Sequence, residues 1–115
     1  MGEQISITMQ DGFELGAYHS APSGQSKGVV VVIQEIFGVN GHIREVVEDY
    51  AERGYQAIAP ALFDRIEPDL QLGYTEADMG KGIELAFQGL EMAQTMKDLQ
   101  SVVDHAAAQG AVGVE

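Results

Sequence analysis

Apolar and polar positions alternate at the start of the chain, with Ile5, Ile7 and Met9 on one side of Asp11-Gly12 and Phe13, Leu15 and Ala17 on the other. A period of two flanking an Asp-Gly turn predicts a β-hairpin over residues 1–20. Residues 21–28 are rich in Pro, Gly and Ser and read as a loop. Val29 to Ile33 is an unbroken β-branched run, the pattern of a central strand buried on both faces. From Gly41 to Gly54 the apolar residues Ile43, Val46, Val47, Tyr50 and Ala51 recur at helical spacing, with Asn40 as the expected cap and Gly54 as a left-handed stop. Gln56 to Ala59 is a short apolar strand closed by Pro60. Residues 29–60 therefore predict a βαβ unit, two parallel strands joined by a right-handed crossover.

The period then disappears. Residues 61–82 contain Pro68, Gly73, Gly80 and Gly82 and predict a loop or lid. Two helices are expected over 83–109, one with Ile83, Ala86, Phe87 and Leu90 on a face, the next with Leu99, Val102, Val103 and Ala106, and Gly110 as the stop. Residues 111–115 look like a strand that has just begun. A hairpin followed by alternating β, α and β elements defines an α/β class, a mostly parallel sheet with helices on both faces. Single domains of that kind usually run past roughly 200 residues. The 115 residues thus predict one partial domain with an incomplete sheet, whose edge is exposed or covered by a partner.

Charge narrows the partners. Six basic against eighteen acidic side chains give a net charge of −12, which repels nucleic acid and anionic membranes, and no apolar run approaches a spanning length. Met1-Gly2-Glu3-Gln4 lacks the basic and apolar regions of a signal peptide, so a cytoplasmic protein is expected. The absence of cysteine excludes disulfides and thiolate chemistry within these residues. No cofactor or metal is expected: His42 and Glu45 lack a third ligand, His19 and His105 stand alone, and the glycines around Lys81 miss the phosphate-loop spacing.

Ligands of open α/β sheets bind beyond the carboxyl ends of the strands, which singles out Glu35, Ile36, Phe37 and Gly38. A carboxylate following the buried run is expected to be partly desolvated and suited to take or share a proton. Glu35 is on this reading either a base or orienting group, or simply the residue that ends a strand. Phe37 and Phe63 either wall a substrate pocket or close the core.

The run Val30-Val31-Val32-Ile33-Gln34-Glu35-Ile36-Phe37-Gly38-Val39-Asn40, followed by His42-Ile43-Arg44, closely resembles the signature of dienelactone hydrolases, a family of α/β-hydrolases that cleave lactone and ester bonds. The likeness continues from Glu52 to Phe63 and returns faintly at Asp98-Leu99 and at Gly110 to Val114. The resemblance implies that the chain is the N-terminal part of an α/β-hydrolase sheet. It implies that Glu35 supports the nucleophile and that the Ile36 backbone N–H is one oxyanion donor. The family's nucleophile elbow follows a strand resembling Gly110 to Val114, and the five serines here lie in no Gly-x-Ser-x-Gly context. No nucleophile, Asp or His of a triad can be assigned. The chain is therefore expected to be a fragment, inactive alone, that acts on a small lactone or ester only with a C-terminal partner chain. The alternative is a non-catalytic module that self-associates through its sheet edge. The family's substrates carry a carboxylate held by arginines, one of which would fall near Gly80-Lys81-Gly82; no Arg lies there and Lys81 is the nearest cation, either a point-charge substitute for that arginine or a solvated lysine.

Overall fold

The computed structural model describes residues 2–110 and 112–114. The hairpin forms as its alternation requires: β1 (Glu3–Thr8) pairs antiparallel with β2 (Glu14–Ser20), with Ile5 opposite Ala17 and Ile7 opposite Leu15. Gly12 sits at φ 89° in the turn, where the Asp11 carboxylate also accepts the Phe13 N–H. β3 (Val29–Val31) and β4 (Gln56–Pro60) are parallel and flank the crossover helix α1 (Gly41–Glu52). Asn40 caps that helix by accepting the Ile43 N–H, and Gly54 at φ 98° reverses the chain after it. The last strand, β5 (Val112–Val114), pairs parallel with β3, giving the sheet order β1-β2-β4-β3-β5. Ala111 and Glu115, the outer positions of the strand expected over 111–115, lie outside the described residues.

Alternation along β3 and β4 divides the core between the two faces of the sheet. Val29, Val31 and Ile58 pack with Leu15, Ala17, Val102 and Ala106 beneath α3 (Met92–Ala107), whereas Val30, Val32, Ala57 and Ala59 pack with Ile43 and Val47 of α1. A run of β-branched residues thus reads as uniformly apolar because each neighbour serves a different layer. Removing either layer would expose a row of fully buried side chains, each worth roughly 1.5–3 kcal/mol.

Three expectations need correction. β3 is shorter than the run 29–33: Val32 still donates to the Ile58 carbonyl, but the chain then bends so that Gln34 reaches the 61–62 turn. The stretch 61–82 is not a plain loop, since it holds a 3₁₀ turn (Leu62–Arg65) and the start of α2 (Glu76–Glu84). Thr75 caps α2 through the Asp78 N–H, and Glu76 and Asp78 place negative charge against the helix N-terminus. Finally, α2 does not run on through the expected apolar face. A π turn (Leu85–Gly89) closes with Leu90 N donating to the Leu85 carbonyl, and Ile83 and Phe87 are left 44% and 77% exposed.

Candidate active site

The carboxyl ends of β3 and β4 open onto a cavity of about 190 Å³ lined by Gln34, Glu35, Ile36, Leu62, Phe63, Ala86 and Leu90. A larger recess of about 640 Å³, between Ser20–Gln25 and Gly54, lies at the amino ends of the same strands, where open α/β sheets do not place their chemistry. Small size is less informative than position. The smaller cavity is where the ends of β3 and β4 and the α2 to α3 connection converge.

The loop after β3 is held from three sides. Gln34 accepts the Leu62 N–H at 2.9 Å and donates to the Glu35 carbonyl at 3.1 Å, tying the loop to the end of β4. Gly38, at φ 77°, donates to the Glu35 carbonyl and bridges to Gln71; a Cβ there would press on the Leu70 carbonyl, so both the dihedral and the space call for glycine. The 70–74 strap completes the hold: Leu72 N donates to the Phe37 carbonyl at 2.9 Å, and the buried Asn40 donates to the Leu72 carbonyl at 3.1 Å and to the Tyr74 hydroxyl at 3.2 Å. Above, Gly82 of α2 lies directly against the Ile36 carbonyl, an approach that any side chain at 82 would block. Among the described residues no acceptor takes up the Ile36 N–H. A fixed loop with an available N–H is the arrangement that stabilises developing negative charge without reorganisation.

The candidate residues read from sequence are only partly brought together. Glu35 and Ile36 line the cavity together. Glu35 is exposed, so the partial desolvation expected of it is absent from these residues. Phe37 turns away to meet Tyr74 edge-on at 4.6 Å between ring centroids, and Phe63, 2% exposed, walls the cavity instead. Lys81 does not point a free charge at the site: its ammonium bonds both Glu67 oxygens at 3.1 and 3.2 Å. Gln34 and Gly82 were given no part in the site from sequence, and Ala86 and Leu90 were expected only on a helix face. Gln34 lay within the recognisable motif, but nothing in its spacing announces a clip to Leu62.

Two charged clusters stiffen the frame around the site. Arg65, in the 3₁₀ turn, is bidentate to the buried Asp98 of α3 (2.6 and 2.9 Å) and to Asp11 of the hairpin turn (2.9 Å twice), and its guanidinium lies over the Phe13 ring. The bonds to Asp98 and then Asp11 push the Arg65 pKa up, and the Arg65 bond holds Asp11 down at about 2. On the α1 side Glu48 accepts from Ser20, Tyr18 and Gly2, which lowers its pKa, while the bond to Glu48 raises that of Tyr18. Among the described residues no group of three or more His, Asp or Glu gathers as a metal site would need, and no helix is long and apolar enough to cross a membrane.

An antiparallel hairpin leading into a doubly covered parallel sheet, with a braced loop after β3 at the cavity, defines an α/β-hydrolase type of fold. Residues 15–115 match the family model described as "Dienelactone hydrolase family", and the chain belongs to that family. Carboxymethylenebutenolidase of Pseudomonas putida is 33% identical over 107 residues, covering 93% of this chain and 45% of that protein. A Synechocystis sp. protein assigned as a carboxymethylenebutenolidase is 46% identical over 78 residues, covering 68% of this chain and 31% of that one. Among solved structures, a Klebsiella pneumoniae protein assigned to the dienelactone hydrolases superposes with a TM-score of 0.78 at 31% identity, over 99% of this chain and 48% of the other. The chain spans less than half the length of each of these proteins.

Proposed function

We propose that these residues supply the oxyanion-loop half of a hydrolase site acting on a lactone or ester. The observation that carries this reading is the available Ile36 N–H on a loop braced by Gln34, Gly38 and the 70–74 strap, at the carboxyl end of a central strand. In the reaction, the Ile36 N–H receives the carbonyl oxygen as it becomes an oxyanion, and Glu35 accepts a hydrogen bond from the resting nucleophile and takes up its proton as the nucleophile ionises. The sequence holds no cysteine and no serine in an elbow, so the nucleophile, Asp and His come from residues beyond these 115, on the same or another polypeptide.

Hydrolysis of p-nitrophenyl acetate tests this directly. The 115 residues alone are expected to show no turnover above buffer, and mixing with the C-terminal half of the Klebsiella pneumoniae relative is expected to restore it. Glu35→Gln in the reconstituted pair should lower kcat by roughly 10²-fold, in the range of a lost site hydrogen bond. Turnover by the 115 residues alone that Glu35→Gln abolishes would refute the assignment.

A second reading rests on β5, which pairs with β3 on one side and is the outermost strand among the described residues. An open strand edge pairs readily with another copy. Light scattering after size exclusion discriminates: a dimer that dissociates when Gly113 is replaced by Pro supports edge pairing, and a monomer at all concentrations removes it.

A further inference from the structure

Asn40 is the only asparagine in the chain, and a glycine follows it. An Asn-Gly pair holds both reactants of a covalent change. The glycine backbone nitrogen can attack the asparagine side-chain amide carbon, closing a cyclic imide, and glycine has no Cβ to obstruct the approach. The surroundings of this pair favour the attack. Gly41 opens α1 and is exposed, a Cβ at 41 would meet only open space, and among the described residues no acceptor holds its N–H. It stands at the positive end of the helix dipole, which favours the deprotonated nitrogen that attacks. The Asn40 Oδ1 accepts the Ile43 N–H at 3.3 Å, so the oxygen that takes on charge during attack already has a donor. Two bonds oppose it. The Asn40 Nδ2 donates to the Leu72 carbonyl at 3.1 Å and to the Tyr74 hydroxyl at 3.2 Å, and these fix the buried amide under the 70–74 strap. Tyr74 itself is 59% exposed, so the outer bond of the latch lies next to solvent.

We propose that Asn40-Gly41 is a self-modification site, gated by the 70–74 strap, whose conversion unlatches the loop that carries the Ile36 N–H. The bond from the Gly41 nitrogen to the Asn40 Cγ forms, the Cγ–Nδ2 bond breaks, and ammonia leaves with the proton that the Gly41 nitrogen gives up. Water then opens the imide at either carbonyl. The products are aspartate at 40, or isoaspartate, in which the main chain runs through the former side chain. Aspartate still offers an oxygen to cap α1 but has no N–H to give, so the Leu72 carbonyl faces a carboxylate. Isoaspartate lengthens the main chain by a methylene directly before the helix. Both release the strap whose Leu72 N–H holds the Phe37 carbonyl, and neither returns to asparagine. The chemistry needs only residues 36–74 and stands whether or not the hydrolase reading does.

Incubating the folded chain in mildly alkaline buffer, with peptide mass spectrometry, tests this. The chain is expected to gain the mass of an amide-to-acid change at residue 40, with aspartate and isoaspartate both among the products. Tyr74→Phe, which removes one bond of the latch, should gain it at least about threefold faster. Gly41→Ala should slow the gain by about threefold or more, through the lost backbone freedom of glycine. Asn40→Asp made directly keeps the cap and should speed amide exchange at Leu72 by about tenfold or more, the size of one buried hydrogen bond lost. A folded chain that gains no mass over a period in which the urea-unfolded chain does overturns the modification site. A gain that Tyr74→Phe leaves no faster overturns the gating by the strap, one that Gly41→Ala leaves no slower overturns the attack by the Gly41 nitrogen, and unchanged Leu72 exchange in Asn40→Asp overturns the release of the loop.

Discussion

At the scale of single residues, Arg65 carries the most demanding electrostatics. Its partner Asp98 is 3% exposed, so replacing Arg65 by Ala leaves a carboxylate stranded in the core beside only Gln94. Removing one partner of a buried pair costs about 3–5 kcal/mol. Urea denaturation of Arg65→Ala is expected to show a loss of that order, against a much smaller loss for Asp11→Asn, whose carboxylate is half-exposed. The same pair sets a pH dependence. Asp11 is held at about 2 in the folded chain, below its value when unfolded, so its contribution is complete above the ordinary carboxylate range and is lost as pH falls from about 4 through about 2. Glu48 is lowered as well and acts in the same direction. Stability should therefore fall on acidification, and the gap between wild type and Asp11→Asn should close over that window. None of this was legible from sequence, because Asp11, Arg65 and Asp98 meet only through the tertiary fold; Asp11 was visible merely as half of a turn.

At the scale of elements, the first sixty residues were legible and the next thirty were not. Period two with Asp-Gly, a β-branched run and a capped 3.6 pattern each point to one structure, and the hairpin, β3, α1 and β4 follow. The start of α2 was announced only by Thr75-x-x-Asp78, a capping pattern hidden among glycines, because its helix carries little apolar surface. Its continuation misled: Ile83 and Phe87 are spaced as a helical face, yet the π turn leaves both exposed and sends Ala86 and Leu90 to the cavity. At the cavity, the motif pointed to Glu35 and Ile36, which line it, but not to the clip from Gln34 or the seat for Gly82, which depend on who faces whom. Asn40 joins two of these elements, since it caps α1 and also holds Leu72 and Tyr74. Asn40→Ala should cost about 2 kcal/mol, more than an isolated cap, and should raise amide exchange at Leu72, whose N–H bonds the Phe37 carbonyl.

At the scale of the molecule, the sheet is assembled out of chain order. β1 and β2 are neighbours in sequence and space, whereas β3 must wait for β4 on one side and β5 on the other. Contacts between distant parts of a chain are slow to form because loop closure precedes any reward. In refolding followed by pulse-labelled exchange, amides of the β1–β2 hairpin are expected to gain protection before those of β3, and simultaneous protection would contradict this order.

The pairing of β3 with β5 has a consequence on the ribosome. As the nascent chain emerges, Val29–Val31 is already outside while Val112–Val114 is still to be added, so one flank of the most apolar strand stays open until those residues follow. At roughly 5–20 residues per second that interval lasts several seconds, long enough for a holdase to bind it or for another nascent chain on the same message to pair with it. Codon choice across the 61–110 stretch would then set how long β3 is left waiting.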